Sequence, residues 1–135
     1  MHQMGRFAAV CFGALGISVA WSGVALAQTA YNVVSGHEVR INWGISVDPD
    51  CRSNGQVVMR VTQPPQHGRV SIRSAGVFPN FPGSNVRNVC NRRRVPGVEA
   101  YYRSEPGYLG FDSVGFETIF PNGDYRQHTA NIQVR

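Results

Sequence analysis

The sequence predicts an all-β protein: an antiparallel β-sandwich of about seven strands that follows a cleaved N-terminal signal peptide. Three observations predict this fold. Apolar and polar residues alternate in short runs, turn-forming residues recur about every 8–12 positions, and Gly or Pro interrupts most longer stretches, which leaves no convincing helix. No internal repeat is present, so we expect a single module.

The first 27 residues have the pattern of a secretory signal peptide. Residues 7–26 hold no charged side chain, Ala25-Leu26-Ala27 has the small-x-small pattern that signal peptidase recognises, and polar Gln28 follows. A membrane span is the alternative, but Gly and Ser dilute the segment and no basic cluster follows it. We predict cleavage after Ala27, export to the periplasm or the cell exterior, and no stable membrane span afterwards.

Residues 28–135 then form one predicted domain, which is large enough for a single core. Removing Arg6 with the signal leaves 12 basic residues, all of them Arg, against 8 acidic residues, a formal charge of +4. An all-arginine basic set is typical of a GC-rich genome. The alternative is recognition of phosphate or carboxylate groups, which guanidinium binds bidentately. Export makes nucleic acid a poor partner.

The cysteine content agrees with export. Cys11 leaves with the signal peptide, and Cys51 and Cys90 remain as a pair, 39 residues apart. In an oxidising compartment such a pair predicts a disulfide. A metal site needs more ligands than two distant cysteines, and a catalytic thiol would be a single free Cys with a His partner.

Seven runs have the alternation or composition of strands. In chain order they cover residues 31–34, 37–43, 56–62, 69–73, 98–103, 112–120 and 129–135. Alternation places Val39, Ile41 and Trp43 on one face of the second run. In the last two runs the sets that share a face are Val114, Phe116, Thr118 and Phe120, and Ala130, Ile132 and Val134.

The connections between these runs carry turn signals. Asn122-Gly123 is a strong hairpin signal between the last two strands. From residue 74 to residue 97 the alternation weakens, and we expect a long excursion that the disulfide at Cys90 holds down.

Two stretches carry more specific patterns. Residues 64–70 (PPQHGRV) resemble a P-x-H-G-x-V corner, and residues 102–113 (YRSEPGYLGFDS) resemble a later G-Y-x-G-x-D-S pattern, both found in bacterial Ig-like and cadherin-like modules of secreted and surface proteins. The resemblance covers most of residues 56–135 and implies an Ig-like sandwich. The chain departs from the family pattern at Ser104, Val114 and Phe116, and in the long excursion.

The roles that these motifs imply are structural. The glycines allow backbone conformations closed to other residues, the prolines pre-set turns, and Asp112 with Ser113 can accept backbone N–H bonds across the corner. Phe116 stands where Ig-like domains often place a corner tyrosine, without its hydroxyl. The predicted turn residues are Pro65, His67, Gly68, Gly107, Tyr108, Gly110 and Asp112.

The sequence contains no clear pattern of a catalytic or metal-binding site. His67 lies inside a turn motif with no acidic partner nearby in sequence, and His37 and His128 lie on predicted strands with polar neighbours, which favours structural or solvent-facing roles for all three. Ser113 is not in a G-x-S-x-G turn. The two polar turns at residues 48–50 and 122–124 offer fewer oxygens than calcium requires. We therefore expect no catalytic residue, no metal and no cofactor.

The sharpest surface feature is Arg92-Arg93-Arg94, with Arg87 and Arg103 expected nearby. Such a cluster could bind lipid phosphates, an anionic polysaccharide or an acidic protein; the alternative is a solvated loop beside a disulfide. Aromatic residues could form a carbohydrate platform, although alternation places some of them in the core. These are Phe78, Phe81, Tyr101, Tyr102 and Tyr108.

Three functional hypotheses follow. The first is a non-enzymatic binding or adhesion module that engages an unknown protein or an anionic envelope component, the latter through the arginine cluster. The second is a structural or accessory subunit of an envelope complex without a ligand site of its own. The third is a small hydrolase or an enzyme inhibitor.

Overall fold

The computed structural model describes residues 30–135; the predicted signal peptide, its cleavage site and Cys11 lie outside the described residues. Within this range the chain forms seven strands and one short 3-10 helix. The strands are β1 (Ala30–Val33), β2 (Glu38–Ile45), β3 (Val58–Gln63), β4 (Gly68–Val77), β5 (Val95–Ser104), β6 (Gly110–Ile119) and β7 (Tyr125–Val134). The predicted seven-stranded sandwich is confirmed.

The strands form two sheets, one with the order β1-β7-β6-β3 and one with the order β2-β5-β4. Neighbouring strands are antiparallel with one exception, β1, which runs parallel to β7. The connection between β1 and β2 is short and contains Gly36 at a φ of 77°. It carries the chain directly from one sheet to the other, so β1 cannot pair with β2 and instead extends the edge of β7.

The core lies between the two sheets and follows the alternation of the sequence. The predicted face of β6 and β7 is confirmed, because Val114, Phe116, Ala130, Ile132 and Val134 are all buried. A second, smaller cluster surrounds the disulfide. It consists of Val47, Cys51, Cys90 and Val95, with Ile45 and Phe81 packed against it.

The predicted disulfide between Cys51 and Cys90 is present, with a Cα–Cα distance of 5.4 Å. It joins the connection after β2 to the 3-10 helix, Val86–Arg92, in the connection between β4 and β5. The expectation that the chain has no helix is therefore wrong at this one segment. Asn85 caps the start of the helix, since its side chain accepts a hydrogen bond from the Arg87 N–H, a cap that the Gly- and Pro-rich surroundings obscured.

The excursion is shorter than the predicted residues 74–97. Val77 at the end of β4 lies opposite Val95 at the start of β5, and both side chains are buried. The irregular part is limited to residues 78–94. The alternation weakened because β4 is an edge strand that carries small residues, Ser74 and Gly76, on the face it shares with Val98, and not because the strand had ended.

The prediction that Trp43 shares a face with Val39 and Ile41 is wrong. A β-bulge interrupts the pairing of β2 with β5 between Arg40 and Asn42, which makes Ile41 the extra residue. Beyond a bulge the alternation reverses its face. Ile41 is buried, whereas Trp43 points away from the core and its side chain is exposed.

Gly68, at the start of β4, lies where the neighbouring atoms leave no room for a side chain. Its φ is not positive, in contrast to Gly107 (86°) and Gly110 (137°), but a Cβ there would lie 2.5 Å from the Arg103 carbonyl oxygen and 2.6 Å from the Tyr102 ring. We expect Gly68→Ala to lower the free energy of unfolding by about 1–3 kcal/mol in urea denaturation. Gly83→Ala is the control, because no heavy atom lies within 4 Å of its Cβ position. Equal stability of the two variants would contradict the prediction.

Candidate functional site

Three connections meet at one end of the sandwich. In the three-stranded sheet, the end of β2 lies beside the start of β5 and the end of β4. In the four-stranded sheet, the start of β3 lies beside the end of β6 and the start of β7. The β2–β3, β4–β5 and β6–β7 connections therefore lie together, which is the arrangement that sandwich domains use to present binding loops.

Direct contacts hold two of these connections together. Besides the disulfide, the Arg87 side chain donates from Nε to the Val47 carbonyl oxygen at 2.7 Å, and Arg93 donates from Nη2 to the Asp50 carbonyl oxygen at 2.6 Å. The Asn91 side chain accepts from the Phe81 N–H and donates to the Phe81 carbonyl oxygen, both at 2.9 Å. The loops are thus fixed in place by covalent and polar contacts.

An open cleft of about 680 Å³ lies between the three connections. We call it the loop-end cleft. Three aromatic and three amide side chains line it: Trp43, Phe81, Phe120, Asn54, Asn80 and Asn122. Three charged side chains, Arg87, Arg126 and Asp124, also line it and leave a formal charge of +1. The volume is in the range of small-ligand sites, and the mixture of rings, amides and cations can bind a polar ligand that has apolar faces.

The wall formed by the β6–β7 hairpin is ordered by its own contacts. The Asn122 side chain donates to Asp124 Oδ2 at 2.7 Å and accepts from the Asp124 N–H at 3.1 Å. Gly123 has a φ of 88°, which agrees with the hairpin signal. The Arg126 guanidinium lies 5.2 Å from the centre of the Phe120 ring. Arg126 is therefore held at the cleft with its charge exposed.

The predicted arginine cluster does not converge on one point. Arg87 lines the cleft and Arg93 binds the Asp50 carbonyl oxygen. Arg94 donates to the Gly76 carbonyl oxygen at 3.2 Å, with its guanidinium 5.1 Å from the Phe78 ring centre. Arg92 is exposed and forms no hydrogen bond or ion pair within residues 30–135. Arg103 is not their neighbour, because it lies near the opposite end of β5, opposite Arg69.

The five aromatic residues that could have formed a carbohydrate platform do not lie on one surface, and Tyr102 is in the core, as the alternation indicated for some of them. Tyr102 is buried in the core, Phe78 lies against Arg94, and Tyr108 stacks on His67. Tyr101 lies on the outer face of the three-stranded sheet, where its hydroxyl donates to Glu99 at 2.8 Å. Phe81 alone of the five lines the loop-end cleft.

Sequence reasoning missed Trp43 and Phe120 as cleft residues. The bulge that turns Trp43 outward depends on the partner strand and has no signal in the β2 sequence. Phe120 packs against the main core, as its predicted face indicated, and it also lines the cleft because it directly precedes the 121–124 turn. Its position next to Asn122-Gly123 is the signal that could have placed it at a loop end.

The outer face of the three-stranded sheet carries paired charges. Glu99 is mostly buried there and is 2.5 Å from Arg40, and Glu38 receives two hydrogen bonds from Arg73 at 2.8 and 3.0 Å. Burial alone would raise the pKa of Glu99, but the hydrogen bonds from Arg40 and Tyr101 outweigh it and hold that pKa below its ordinary value. These arginines are therefore engaged with carboxylates of the chain itself.

The turn motifs build the opposite end of the sandwich. Asp112 Oδ2 accepts hydrogen bonds from the His67 N–H and the Tyr102 hydroxyl, both at 2.9 Å, and Oδ1 accepts from the Gln66 N–H at 3.0 Å. Pro65 precedes this corner in the β3–β4 connection. The hydroxyl that hydrogen-bonds in this corner belongs to Tyr102. Phe116, which stands where the family pattern places the corner tyrosine, is buried in the core.

A second set of contacts closes the same end. The His67 and Tyr108 rings stack with centres 4.0 Å apart and planes within 9°. The Tyr108 hydroxyl donates to the Phe111 carbonyl oxygen at 2.7 Å, close to Gly110. His67 is thus a packing residue of this corner, and neither it nor the other turn-motif residues line the loop-end cleft.

Two further findings concern the described part of the chain. Among residues 30–135, no three His, Cys, Asp or Glu side chains form a group that could hold a metal ion. Over the same range, no helix has the length and apolar character needed to cross a membrane.

Comparison with known proteins adds little to this description. No family model matches the chain, and no curated protein matches it. Among solved structures, the chain is similar to one titled "Solution Structure of Amebosin", with a TM-score of 0.45 and 10% sequence identity, over 80% of this chain and 90% of that one. A likeness at this level transfers no function to this chain.

Proposed function

We propose that the chain is a non-enzymatic, Ig-like binding module of the cell envelope that holds an anionic saccharide in the loop-end cleft. The observation that carries the proposal is the composition of the cleft: three aromatic side chains beside three amides and two guanidinium groups, between loops that a disulfide holds in place. An intramolecular disulfide also fits an oxidising compartment, which supports export to the periplasm or the cell exterior.

Each type of lining residue has a role in such binding. Aromatic rings offer flat apolar surfaces to the C–H faces of sugar rings, as Trp43 can because it is exposed. The amides donate and accept hydrogen bonds with hydroxyl groups. Arg126 and Arg87 can bind a carboxylate or sulfate of the ligand through charge-assisted hydrogen bonds. The positive balance of the cleft favours acidic over neutral sugars.

The same composition supports binding over hydrolysis. Glycoside hydrolysis uses two carboxyl groups on opposite sides of the scissile bond. Among the described residues that line the cleft, Asp124 is the single carboxylate, and the Asn122 amide donates a hydrogen bond to it. A bound saccharide would therefore be retained unchanged.

Calorimetric titration with acidic and neutral oligosaccharides tests this proposal, with oligogalacturonate and maltooligosaccharide as the two probes. We expect the protein to bind the acidic probe, and Trp43→Ala and Arg126→Gln each to weaken that binding about tenfold. Arg60→Gln is the control, because Arg60 is an exposed arginine of β3 outside the cleft.

Two outcomes would overturn the proposal. One is equal binding of the three variants, which would move the site away from the cleft. The other is that the unaltered protein binds neither probe, which would favour the alternative of a structural or accessory subunit.

A further inference from the structure

The 3-10 helix between β4 and β5 has an exposed ridge. A 3-10 helix has three residues per turn, so residues three apart lie on the same side. Val86 is 69% exposed, Val89 is 62% exposed, and Arg92, the next residue in that spacing, is exposed as well. Cys90, on another side of the helix, is fully buried. We call Val86, Val89 and Arg92 the tip ridge.

The inner sides of the helix are anchored, so the ridge is held outward. Cys90 is bonded to Cys51, and Arg87 is hydrogen-bonded to the Val47 carbonyl oxygen. Asn88 donates to the Phe81 carbonyl oxygen at 2.8 Å. Because these contacts fix the orientation of the helix, the two valines cannot turn inward without breaking them. Two aliphatic side chains are therefore held exposed, one turn apart, on a fixed element.

The surroundings of the ridge are basic. The disulfide brings residues 86–94 beside residues 48–52, where arginines outnumber aspartates by five to two, a formal charge of +3. The five arginines are Arg52, Arg87, Arg92, Arg93 and Arg94, and the two aspartates are Asp48 and Asp50. Arg93 and Arg94 hydrogen-bond to backbone carbonyl oxygens and form no ion pair within 4 Å among residues 30–135. Phe78, beside the Arg94 guanidinium, adds a third exposed apolar side chain. Apolar side chains therefore project from a positively charged surface.

We propose that the tip ridge docks the protein on a bilayer surface that contains anionic phospholipid. Val86 and Val89 would enter the boundary between headgroups and acyl chains, and Arg92 with its two neighbours would bind lipid phosphates. The ridge residues do not line the loop-end cleft, so this surface is separate from the saccharide site and the inference goes beyond the proposed function.

The shape of the ridge favours a bilayer over an acidic protein. A ridge of two small, highly exposed side chains needs a matching groove on a protein partner, whereas lipid headgroups rearrange around it. Guanidinium groups also bind phosphate bidentately. Each arginine near an anionic bilayer strengthens binding about fivefold, so we expect reversible docking that weakens as salt is added.

Vesicle sedimentation tests this inference with the oxidised, exported protein. The probes are phosphatidylcholine vesicles with and without phosphatidylglycerol. We expect binding to the anionic vesicles alone, with the partition coefficient lowered about fivefold by Arg92→Gln and by a similar or larger factor by Val86→Asn with Val89→Asn. Near-ultraviolet circular dichroism of each variant checks that the fold is retained.

Two matched controls separate this surface from the rest of the molecule. Val34→Asn changes a valine that is 61% exposed at the opposite end of the sandwich, beside the chain terminus at Arg135, and is expected to leave partitioning unchanged. Trp43→Ala, which is expected to weaken saccharide binding, is expected to leave vesicle partitioning unchanged. Equal binding to both kinds of vesicle, no binding to either, or ridge variants that partition like the Val34→Asn control would each overturn the proposal. An acidic protein would then be the favoured partner.

Discussion

Asp112→Ala is expected to lower the free energy of unfolding at neutral pH by about 3 kcal/mol. The Asp112 carboxylate accepts hydrogen bonds from the Gln66 and His67 N–H groups and from the Tyr102 hydroxyl. Its removal leaves the two N–H groups without this acceptor, and the hydroxyl of the fully buried Tyr102 keeps only the His67 carbonyl oxygen, at 3.2 Å. Because the contacts join the β3–β4 connection to β5 and β6, the loss affects the closure of the whole end. Urea denaturation measures it.

Three variants sharpen this measurement. Asp112→Asn keeps one acceptor oxygen, so we expect about half of the loss. Tyr102→Phe removes the hydroxyl alone, and its effect should be smaller when Asp112 is already alanine, because the hydroxyl then keeps only its contact with the His67 carbonyl oxygen. Asp124→Ala is the control: Asp124 lies in an exposed turn, and we expect less than about 1 kcal/mol. Losses of the same size at Asp112 and Asp124 would contradict the role of the corner.

The same corner gives the protein a pH dependence on the acid side. Burial alone raises the pKa of Asp112, but the backbone hydrogen bonds from Gln66, His67 and Ser113 outweigh it and hold the pKa below its ordinary value of 3.8. A carboxyl group whose pKa is lower in the folded state stabilises the fold above its unfolded-state pKa. That contribution is lost as pH falls through the folded-state value.

We therefore expect the free energy of unfolding to decrease on acidification below about pH 4, and Asp112→Asn to flatten part of that decrease. Glu38 and Glu99 account for other parts of the decrease in the free energy of unfolding, because hydrogen bonds with arginine lower the pKa of each. Urea denaturation over an acidic pH series compares the two proteins. An identical slope in both would show that Asp112 does not contribute.

Removal of the disulfide is the second large effect. The bridge joins cysteines 39 residues apart, and the chain-entropy relation gives about 4 kcal/mol for a loop of that length. We expect Cys51→Ala with Cys90→Ala to lower the free energy of unfolding by about that amount. Thermal and urea unfolding should show this loss of stability in the reduced protein and in the double variant, each compared with the oxidised protein. Thiol titration of the unreduced, exported protein should find no free thiol.

A second double variant separates the cross-link from the backbone. Cys51 has a φ of 66°, a conformation that favours glycine. Cys51→Gly with Cys90→Ala should therefore recover roughly 1 kcal/mol relative to the Ala–Ala variant. Both double variants should also bind the acidic oligosaccharide more weakly, since the disulfide joins two of the three connections around the cleft. Unfolding of either variant at the urea concentration of the unaltered protein would contradict the prediction.

The core is the part of the fold that could be predicted most completely. Alternation along residues 112–120 and 129–135 identified Val114, Phe116, Ala130, Ile132 and Val134, because a strand with one buried face repeats every two residues. The disulfide followed from the cysteine count, because the predicted signal peptide includes Cys11 and leaves Cys51 and Cys90 as a pair. The site could not be predicted in the same way, since its residues come from three connections that are far apart in the chain.

The sequence by itself determined the strand count, the sandwich and the pairing of Cys51 with Cys90, because these depend on local alternation, turn residues and composition. The tertiary structure decided which side chains meet. A bulge in β2 turns Trp43 outward, and Tyr102 provides the hydroxyl that binds Asp112 in the corner. The arginines lie apart: Arg87 lines the cleft, Arg93 binds a backbone carbonyl oxygen, and Arg92 belongs to the tip ridge. The physical reason is that register and loop placement depend on hydrogen bonds to partner strands, which no single stretch of sequence encodes.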